Sequence, residues 1–174
     1  MPIEIKEEIQ VPEGVEFRVD GRAVEIIGPK GRIKREFGFP SVTLSVDGRK
    51  IIVKTMGKRK EDRAAVGTVR AHIRNMIIGV TDGFTKKLRV VYSHFPITVK
   101  VEGKKVLISN FLGERAPRQA KIVGETEVEV AGDEILVKGI SKDDVGQTAI
   151  NIERATAVKY RDRRIFQDGC FIVE

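Results

Sequence analysis

Residues 15–31, VEFRVDGRAVEIIGPKG, align without a gap with residues 97–113, ITVKVEGKKVLISNFLG. Most apolar positions of one stretch coincide with apolar positions of the other, and Gly21 coincides with Gly103. In both stretches apolar and polar residues alternate on either side of an acidic residue followed by glycine, a pattern typical of a β-hairpin with a tight turn. The repetition indicates that the chain contains two copies of one folding unit.

Three further blocks recur in the same order. VDGRKIIVK begins at Val46 and returns as VAGDEILVK at Val130. A Val-Gly pair lies within a helical pattern in each half of the chain, at residues 66–67 and 145–146. An Asp-Gly pair follows each of these patterns, at residues 82–83 and 168–169. Blocks that recur in one order along the chain predict a tandem duplication.

Each copy reads as two hairpins, one helix and a final strand. Apolar residues at helical spacing predict helices near Glu61–Ile78 and near Lys142–Ala157. Strands grouped before a single helix favour an antiparallel sheet over a parallel βαβ arrangement. We therefore expect an α+β fold, a tandem duplication of two similar domains, each with antiparallel β-sheet hairpins and one packed helix. The first domain is predicted to span residues 1–91 and the second residues 92–174, with the boundary in VVYSHFP at residues 90–96.

Composition narrows the classes of function. The chain has 32 Lys and Arg against 25 Asp and Glu, a net charge of +7 that favours a polyanionic partner. Cys170 is the single cysteine and there are two histidines, so we predict no disulfide, no metal and a reducing intracellular compartment. The opening MPIEIKEEIQVPEG lacks the apolar segment of a signal peptide, and no apolar run is long enough to span a membrane.

Catalytic motifs are absent from the sequence. Gly57-Lys58 is followed by Arg59 and so does not complete a phosphate-binding P-loop, and GPKG at residues 28–31 reads as a hairpin turn. We predict no catalytic residues and no cofactor. Two alternatives stay open at this point: an enzyme that processes nucleic acid with a carboxylate pair and Mg²⁺, and an adaptor whose exposed sheets recruit other proteins.

Basic residues are concentrated after the second predicted helix. KYRDRR, residues 159–164, places four cations around Tyr160, and such a run repels itself unless a partner neutralises it. Arginine predominates, as suits bidentate contacts with phosphate. Tyr160 either stacks on an unpaired base or packs on its own domain, and both interpretations are open.

The repeated helical glycines, Gly67 and Gly146, need a separate reason. Glycine inside a helix costs about 1 kcal/mol relative to alanine. A glycine at the same early position in both helices indicates close backbone approach. The neighbour is either a strand of the same domain, which we favour, or a bound partner.

A resemblance to a known family emerges at SKDDVGQTAINIERATAVKYRDRRIFQDGCF, residues 141–171. This stretch closely resembles the C-terminal signature of the universal protein-six family of the large ribosomal subunit, in its archaeal and eukaryotic form. Gln147, the basic residues and the ending Arg164, Phe166, Asp168 and Gly169 stand where the signature has them. Cys170 departs from the aliphatic residue that is usual there. The internal duplication extends the resemblance over essentially the whole chain.

The resemblance implies a structural constituent of the large ribosomal subunit in the cytoplasm, not an enzyme and not a membrane protein. It implies that the second domain is the main unit binding large-subunit ribosomal RNA, near the sarcin–ricin loop and the stalk base where translation GTPases dock. Neighbouring large-subunit ribosomal proteins are further expected partners. We predict that the RNA-binding residues are Lys142, Gln147, Asn151, Arg154, Lys159, Tyr160, Arg161, Arg163 and Arg164.

Overall fold

The alternating stretches around Gly21 and Gly103 form β-hairpins in the computed structural model, which describes residues 5–57 and 59–173. Gly21 has φ +59° and Gly103 has φ +57°, the left-handed region that two-residue hairpin turns need and most L side chains avoid. The chain divides into two units, Met1–Gly83 and Phe84–Glu174, each with its own apolar core.

The first unit has two three-stranded antiparallel sheets and one helix. The elements are β1 (Ile5–Gln10), β2 (Glu16–Asp20), β3 (Ala23–Gly28), β4 (Gly31–Glu36), β5 (Val42–Asp47), β6 (Lys50–Thr55) and α1 (Lys60–Thr81). The strands of the first sheet lie in the order β2-β3-β4 and those of the second in the order β1-β6-β5. Helix α1 contacts both sheets and buries an apolar face that includes Val66, Val69 and Ile73.

The second unit repeats this plan with one additional strand. The elements are β7 (Phe84–Val91), β8 (Thr98–Glu102), β9 (Lys105–Ser109), a 3₁₀ turn (Phe111–Gly113), β10 (Arg118–Lys121), β11 (Glu127–Ala131), β12 (Glu134–Gly139), α2 (Lys142–Ala155) and β13 (Gly169–Ile172). One sheet has the order β10-β9-β8, and the other has four strands in the order β11-β12-β7-β13. Helix α2 buries Val145, Ala149 and Ile152 against the strands.

The predicted α+β tandem duplication is confirmed, and both predicted helices are present. Helix α1 extends beyond its predicted ends, whereas α2 ends at Ala155, two residues early. Helix α2 begins at a capped end, because the Ser141 hydroxyl accepts a hydrogen bond from the Asp144 N–H at 3.3 Å.

The strand that follows the first helix belongs to the second unit. We expected this strand to close the first domain at residue 91, but β7 pairs with β12 and β13. The boundary between the two units therefore lies between Gly83 and Phe84 along the chain. The registers give the reason. Ile51 pairs with Ile9 of β1, and Ile135, which aligns with Ile51, pairs with Leu88 of β7. Strands β1 and β7 therefore hold the same place at the start of each repeat, and the second repeat adds β13 after its helix.

A buried carboxylate anchors the segment between α2 and β13. Asp168 is fully buried and accepts hydrogen bonds from Ser93 N (3.2 Å), Ser93 Oγ (3.0 Å), His94 N (3.2 Å) and His94 Nδ1 (2.8 Å). Burial raises the pKa of Asp168, but the hydrogen bonds from His94 and Ser93 outweigh it and lower the pKa to about 2. The carboxylate therefore ties the end of this segment to the chain just after β7.

The place of β7 predicts which fragments fold. Residues 84–174 alone should unfold cooperatively, as an independent domain does. Residues 92–174 alone should not reach the native state, because they lack the strand with which both β12 and β13 pair. Circular dichroism and amide NMR dispersion during thermal unfolding check this. Cooperative, native-like unfolding of residues 92–174 would contradict it.

Asp168 predicts an acid-dependent stability. Its pKa is about 2 in the folded chain, against about 3.9 for an unperturbed aspartate, so its stabilisation is present above about pH 4 and lost as the pH falls towards 2. Asp168→Asn should therefore lower the free energy of unfolding at pH 7, and its difference from the unsubstituted chain should narrow between about pH 5 and pH 2.

Denaturant titrations across this pH range measure the effect. Asp133→Asn is a matched control, because it removes the same charge from an exposed side chain of the same unit. Equal losses of stability in the two variants at pH 7 would show that Asp168 is not an anchor.

Candidate nucleic-acid interface

The predicted RNA-binding residues all lie in the second unit, on α2 and on the chain that follows it. We call residues 159–164 the basic segment. This segment has no regular secondary structure, so its side chains are positioned by the contacts at its two ends. Arg118 holds one end, and Asp168 with Phe166 holds the other.

Arg118 binds the C-terminal end of α2. Its Nη1 donates to the carbonyl oxygen of Ala155 (2.9 Å), the last residue of α2, and to that of Ala157 (3.1 Å), two residues beyond the helix. Glu114 accepts two hydrogen bonds from the other guanidinium nitrogens, at 2.8 and 2.6 Å, and its own pKa is lowered by the hydrogen bond with Arg118. The guanidinium carbon also lies 4.3 Å from the centre of the Phe111 ring. Sequence reasoning missed Arg118, because the carbonyls that it binds are distant along the chain.

Phe166 adds a second contact at the other end of the segment. The His94 ring stacks on it with ring centres 4.6 Å apart and an interplanar angle of 16°. The guanidinium carbon of Arg161 lies 4.8 Å from the centre of the same ring. Within the ending Arg164, Phe166, Asp168 and Gly169, Phe166 and Asp168 thus attach the segment to its own unit.

Ser93, His94 and Asp168 lie together but are not arranged as a catalytic triad. In a Ser-His-Asp triad, the serine hydroxyl meets one ring nitrogen and the carboxylate meets the other. Here the Ser93 hydroxyl and the Asp168 carboxylate both approach Nδ1 of His94, at 3.1 and 2.8 Å. The Ser93 hydroxyl also donates to the carboxylate itself. The cluster is a hydrogen-bonded anchor.

The four cations of the basic segment differ in their surroundings. Lys159 and Arg163 are exposed, and neither has a hydrogen bond or an ion pair within residues 5–57 and 59–173. Arg161 lies on Phe166, as described. Arg164 forms two hydrogen bonds with Asp162, at 3.1 and 2.9 Å, which raise the pKa of Arg164 and lower that of Asp162. Lys159 and Arg163 are therefore the cations most open to an anion.

Tyr160 is fully exposed, so it does not pack on its own domain. Its backbone has φ +60°, a left-handed conformation that is uncommon for a residue with a side chain. A non-glycine residue held in this region is a recognised reason to look for a functional role. Stacking on a partner is the interpretation that remains.

The two amides of α2 do not have the same role. Asn151 donates from Nδ2 to the carbonyl of Lys121 at 2.9 Å, and its Oδ1 accepts from Nε2 of Gln147, also at 2.9 Å. Asn151, which we predicted to bind RNA, therefore already has partners in its own unit and ties α2 to β10. Gln147 remains exposed, with its carbonyl oxygen available, and Lys142 and Arg154 are also exposed.

The repeated helical glycines do not face a strand. A Cβ atom built on Gly67 or on Gly146 would meet nothing within 4 Å. Our preferred interpretation, close packing against the sheet of the same domain, is therefore wrong. Both positions leave the helix backbone open to a partner.

Other kinds of site find little support in the part of the chain that the structure describes. Residues 5–57 and 59–173 contain no group of three or more His, Cys, Asp or Glu side chains suited to a metal ion. Burial raises the pKa of the Cys170 thiol to about 11, against a weaker opposing effect of Thr156, so this thiol is a poor nucleophile. Neither α1 nor α2 is long and apolar enough to cross a membrane.

Comparison with known proteins agrees with the duplication and with the resemblance of the C-terminal stretch. Residues 11–83 and residues 95–169 each match the family described as ribosomal protein L6. The large ribosomal subunit protein uL6 of Methanothrix thermoacetophila is 52% identical over 171 residues, 98% of this chain and 97% of the relative. The proteins of the same name from Methanosarcina mazei and Methanocella arvoryzae are 50% and 51% identical, over 98% and 99% of this chain and 97% and 98% of the relatives. The chain therefore belongs to the ribosomal protein L6 family and is a structural, non-enzymatic constituent of the large ribosomal subunit.

Proposed function

We propose that the chain binds and braces large-subunit ribosomal RNA near the sarcin–ricin loop and the stalk base, where translation GTPases dock. The second unit is the main RNA-binding unit, and the chain works in the cytoplasm as part of the ribosome. The location rests on the resemblance of residues 141–171 to the family signature. Neighbouring large-subunit ribosomal proteins and the docking GTPases are its other expected neighbours.

One observation carries the proposal: Lys159 and Arg163 are exposed and have no partner in the described chain, although the segment that holds them is fixed at both ends. Binding an anion through a mobile segment loses the energy needed to order that segment. Here Arg118 and Asp168 have already ordered it. The cost of ordering the segment on a structured RNA backbone is therefore reduced.

The rest of the predicted surface supplies contacts of other kinds. RNA helices are recognised mostly by shape, phosphates and 2′-hydroxyls across the shallow groove. The exposed amide of Gln147 can accept from a hydroxyl, while Lys142 and Arg154 can donate to phosphates. The open backbone at Gly146 lets a ribose or phosphate approach α2 closely.

The net charges of the two units do not explain why the second unit is the main RNA-binding unit. Residues 1–83 hold 16 Lys and Arg against 12 Asp and Glu, and residues 84–174 hold 16 against 13, so the two units have similar net charges. Some cations of the first unit already have carboxylate partners, since Arg70 lies 3.4 Å from Glu7 and Lys50 lies 3.3 Å from Glu8. The first unit therefore adds peripheral contacts or faces solvent and factors.

Chemical footprinting of large-subunit ribosomal RNA, with and without the full chain, tests the proposal. Protection should appear around the sarcin–ricin loop and the stalk base. Protection confined to other regions would contradict the proposed location. Absence of any protection, with binding to ribosomal proteins instead, would favour the adaptor alternative.

Removing Lys159 and Arg163 together should weaken the salt dependence of RNA binding. Each phosphate neutralised contributes about 0.9 to the slope of log affinity against log salt on a duplex, so the double alanine variant should flatten the slope by roughly 1.8. The control is Arg32→Ala with Lys34→Ala, which removes two exposed cations from β4 of the first unit.

Binding titrations at several salt concentrations separate the outcomes. A smaller change of slope in the control would show that the position of the charges matters. An equal change in both variants would mean that the chain binds by its overall charge.

Tyr160 should contribute to affinity through its ring and not to stability. Tyr160→Gly removes the ring and relieves the φ of +60°, so the melting temperature should stay equal or rise. RNA affinity should fall by roughly fivefold or more, because stacking of a base on an aromatic ring is worth about 1–3 kcal/mol. Tyr160→Phe, which keeps the ring, should bind like the unsubstituted chain. Equal affinity of the glycine and phenylalanine variants would exclude stacking.

A further inference from the structure

A cleft of about 560 Å³ opens in the second unit beside the basic segment. Apolar side chains form much of its lining, and two arginines also line it. The residues that matter here are Val91, Val158, Phe166, Phe171, Arg154 and Arg163. Clefts of this size, mostly apolar with a few polar groups, are typical of sites that take a small ligand.

Two of the lining side chains leave apolar surface uncovered. Phe171 is 43% exposed and Val91 is 38% exposed, although both belong to strands of the sheet on which α2 packs. Phe166 also lines the cleft, but its ring already contacts His94 and Arg161. Phe171 is therefore the lining ring with surface left for stacking.

The polar groups of the cleft suit a nucleotide. Arg154 and Arg163 are exposed and have no partner within the described residues, so each can bind a phosphate bidentately. Glu153 also lines the cleft, and one of its carboxylate oxygens accepts from the Ile172 N–H at 3.3 Å. Its other oxygen can accept from a ring N–H or an amino group of a base.

We propose that this cleft receives one unstacked nucleobase of the bound RNA, with the base against Phe171 and the adjoining phosphates on Arg154 and Arg163. The proposal rests on the proposed function and specifies that the RNA presents an extruded nucleotide at this place. Sequence-tolerant stacking of unpaired bases on aromatic rings is a usual mode of RNA recognition.

An apolar side chain of a neighbouring protein fits the cleft less well. Its entry would desolvate Arg154 and Arg163 without supplying a counter-ion, and uncompensated desolvation of charges is unfavourable. A nucleotide brings the apolar face and the negative charges together. Charge complementarity therefore favours a nucleotide over an apolar side chain as the occupant of the cleft.

NMR of the full chain in complex with the RNA fragment that it protects tests the proposal directly. Nuclear Overhauser effects should connect the Phe171 ring and the Val91 and Val158 methyl groups with the base protons of a single nucleotide. Absence of these effects, in a complex of undiminished affinity and salt dependence, would overturn the base pocket and leave the proposed function standing. Failure to form any complex would instead overturn the proposed function, and the pocket with it.

A pair of substitutions gives an independent measure. Phe171→Leu keeps an apolar side chain but removes the ring, and it should lower RNA affinity about tenfold with little change in the salt slope. Phe39→Leu is the control, because Phe39 is a ring of similar exposure (36%) in the first unit. Equal affinity of the two variants would contradict stacking on Phe171. The measurement on the unsubstituted complex decides the matter should Phe171→Leu fail to fold.

Discussion

The second unit depends on one buried interaction, the acceptance of four hydrogen bonds by Asp168 from Ser93 and His94. A carboxylate without these donors would be strongly destabilising at full burial, because desolvation opposes its charge. With these donors, the pKa of Asp168 falls to about 2 and the carboxylate stays charged in the folded chain. The carboxylate joins the chain just after β7 to the chain just before β13, where Phe166 stacks on His94.

Arg118 holds the other end of the same segment. It binds the carbonyl oxygens of Ala155, the last residue of α2, and of Ala157, so the chain leaves the helix in a defined direction. Between these two anchors the basic segment has no regular structure, yet its ends are fixed. Irregular segments on rigid supports commonly carry binding residues. The strained backbone of Tyr160 is consistent with a segment shaped for its surroundings more than for its own conformational preference.

Features with a local cause could be predicted from the sequence, and features set by distant partners could not. Alternation and turn glycines predicted the hairpins, and helical spacing predicted α1 and α2. The pairing of β7 was missed, because nothing in its residues says whether it joins the sheet before it or the sheet after it. Asn151 looked like a free donor for the same reason, since the carbonyl of Lys121 lies on another element. The predicted RNA-binding residues lie on one helix and one segment, and the surroundings of each could be described only from the tertiary contacts.

The two repeats differ in the residues that follow their helices. In the first unit, Asp82 follows α1 directly as an exposed helix cap, and β7 begins two residues later. The aligned residue, Asp168, is buried, and residues 156–167 separate it from α2. This insertion carries the basic segment and Phe166, and the anchoring carboxylate follows it directly. Burial of the aspartate and display of the cations are therefore parts of a single change, since an insertion of this length could not present its charges in fixed positions without an anchor at its far end.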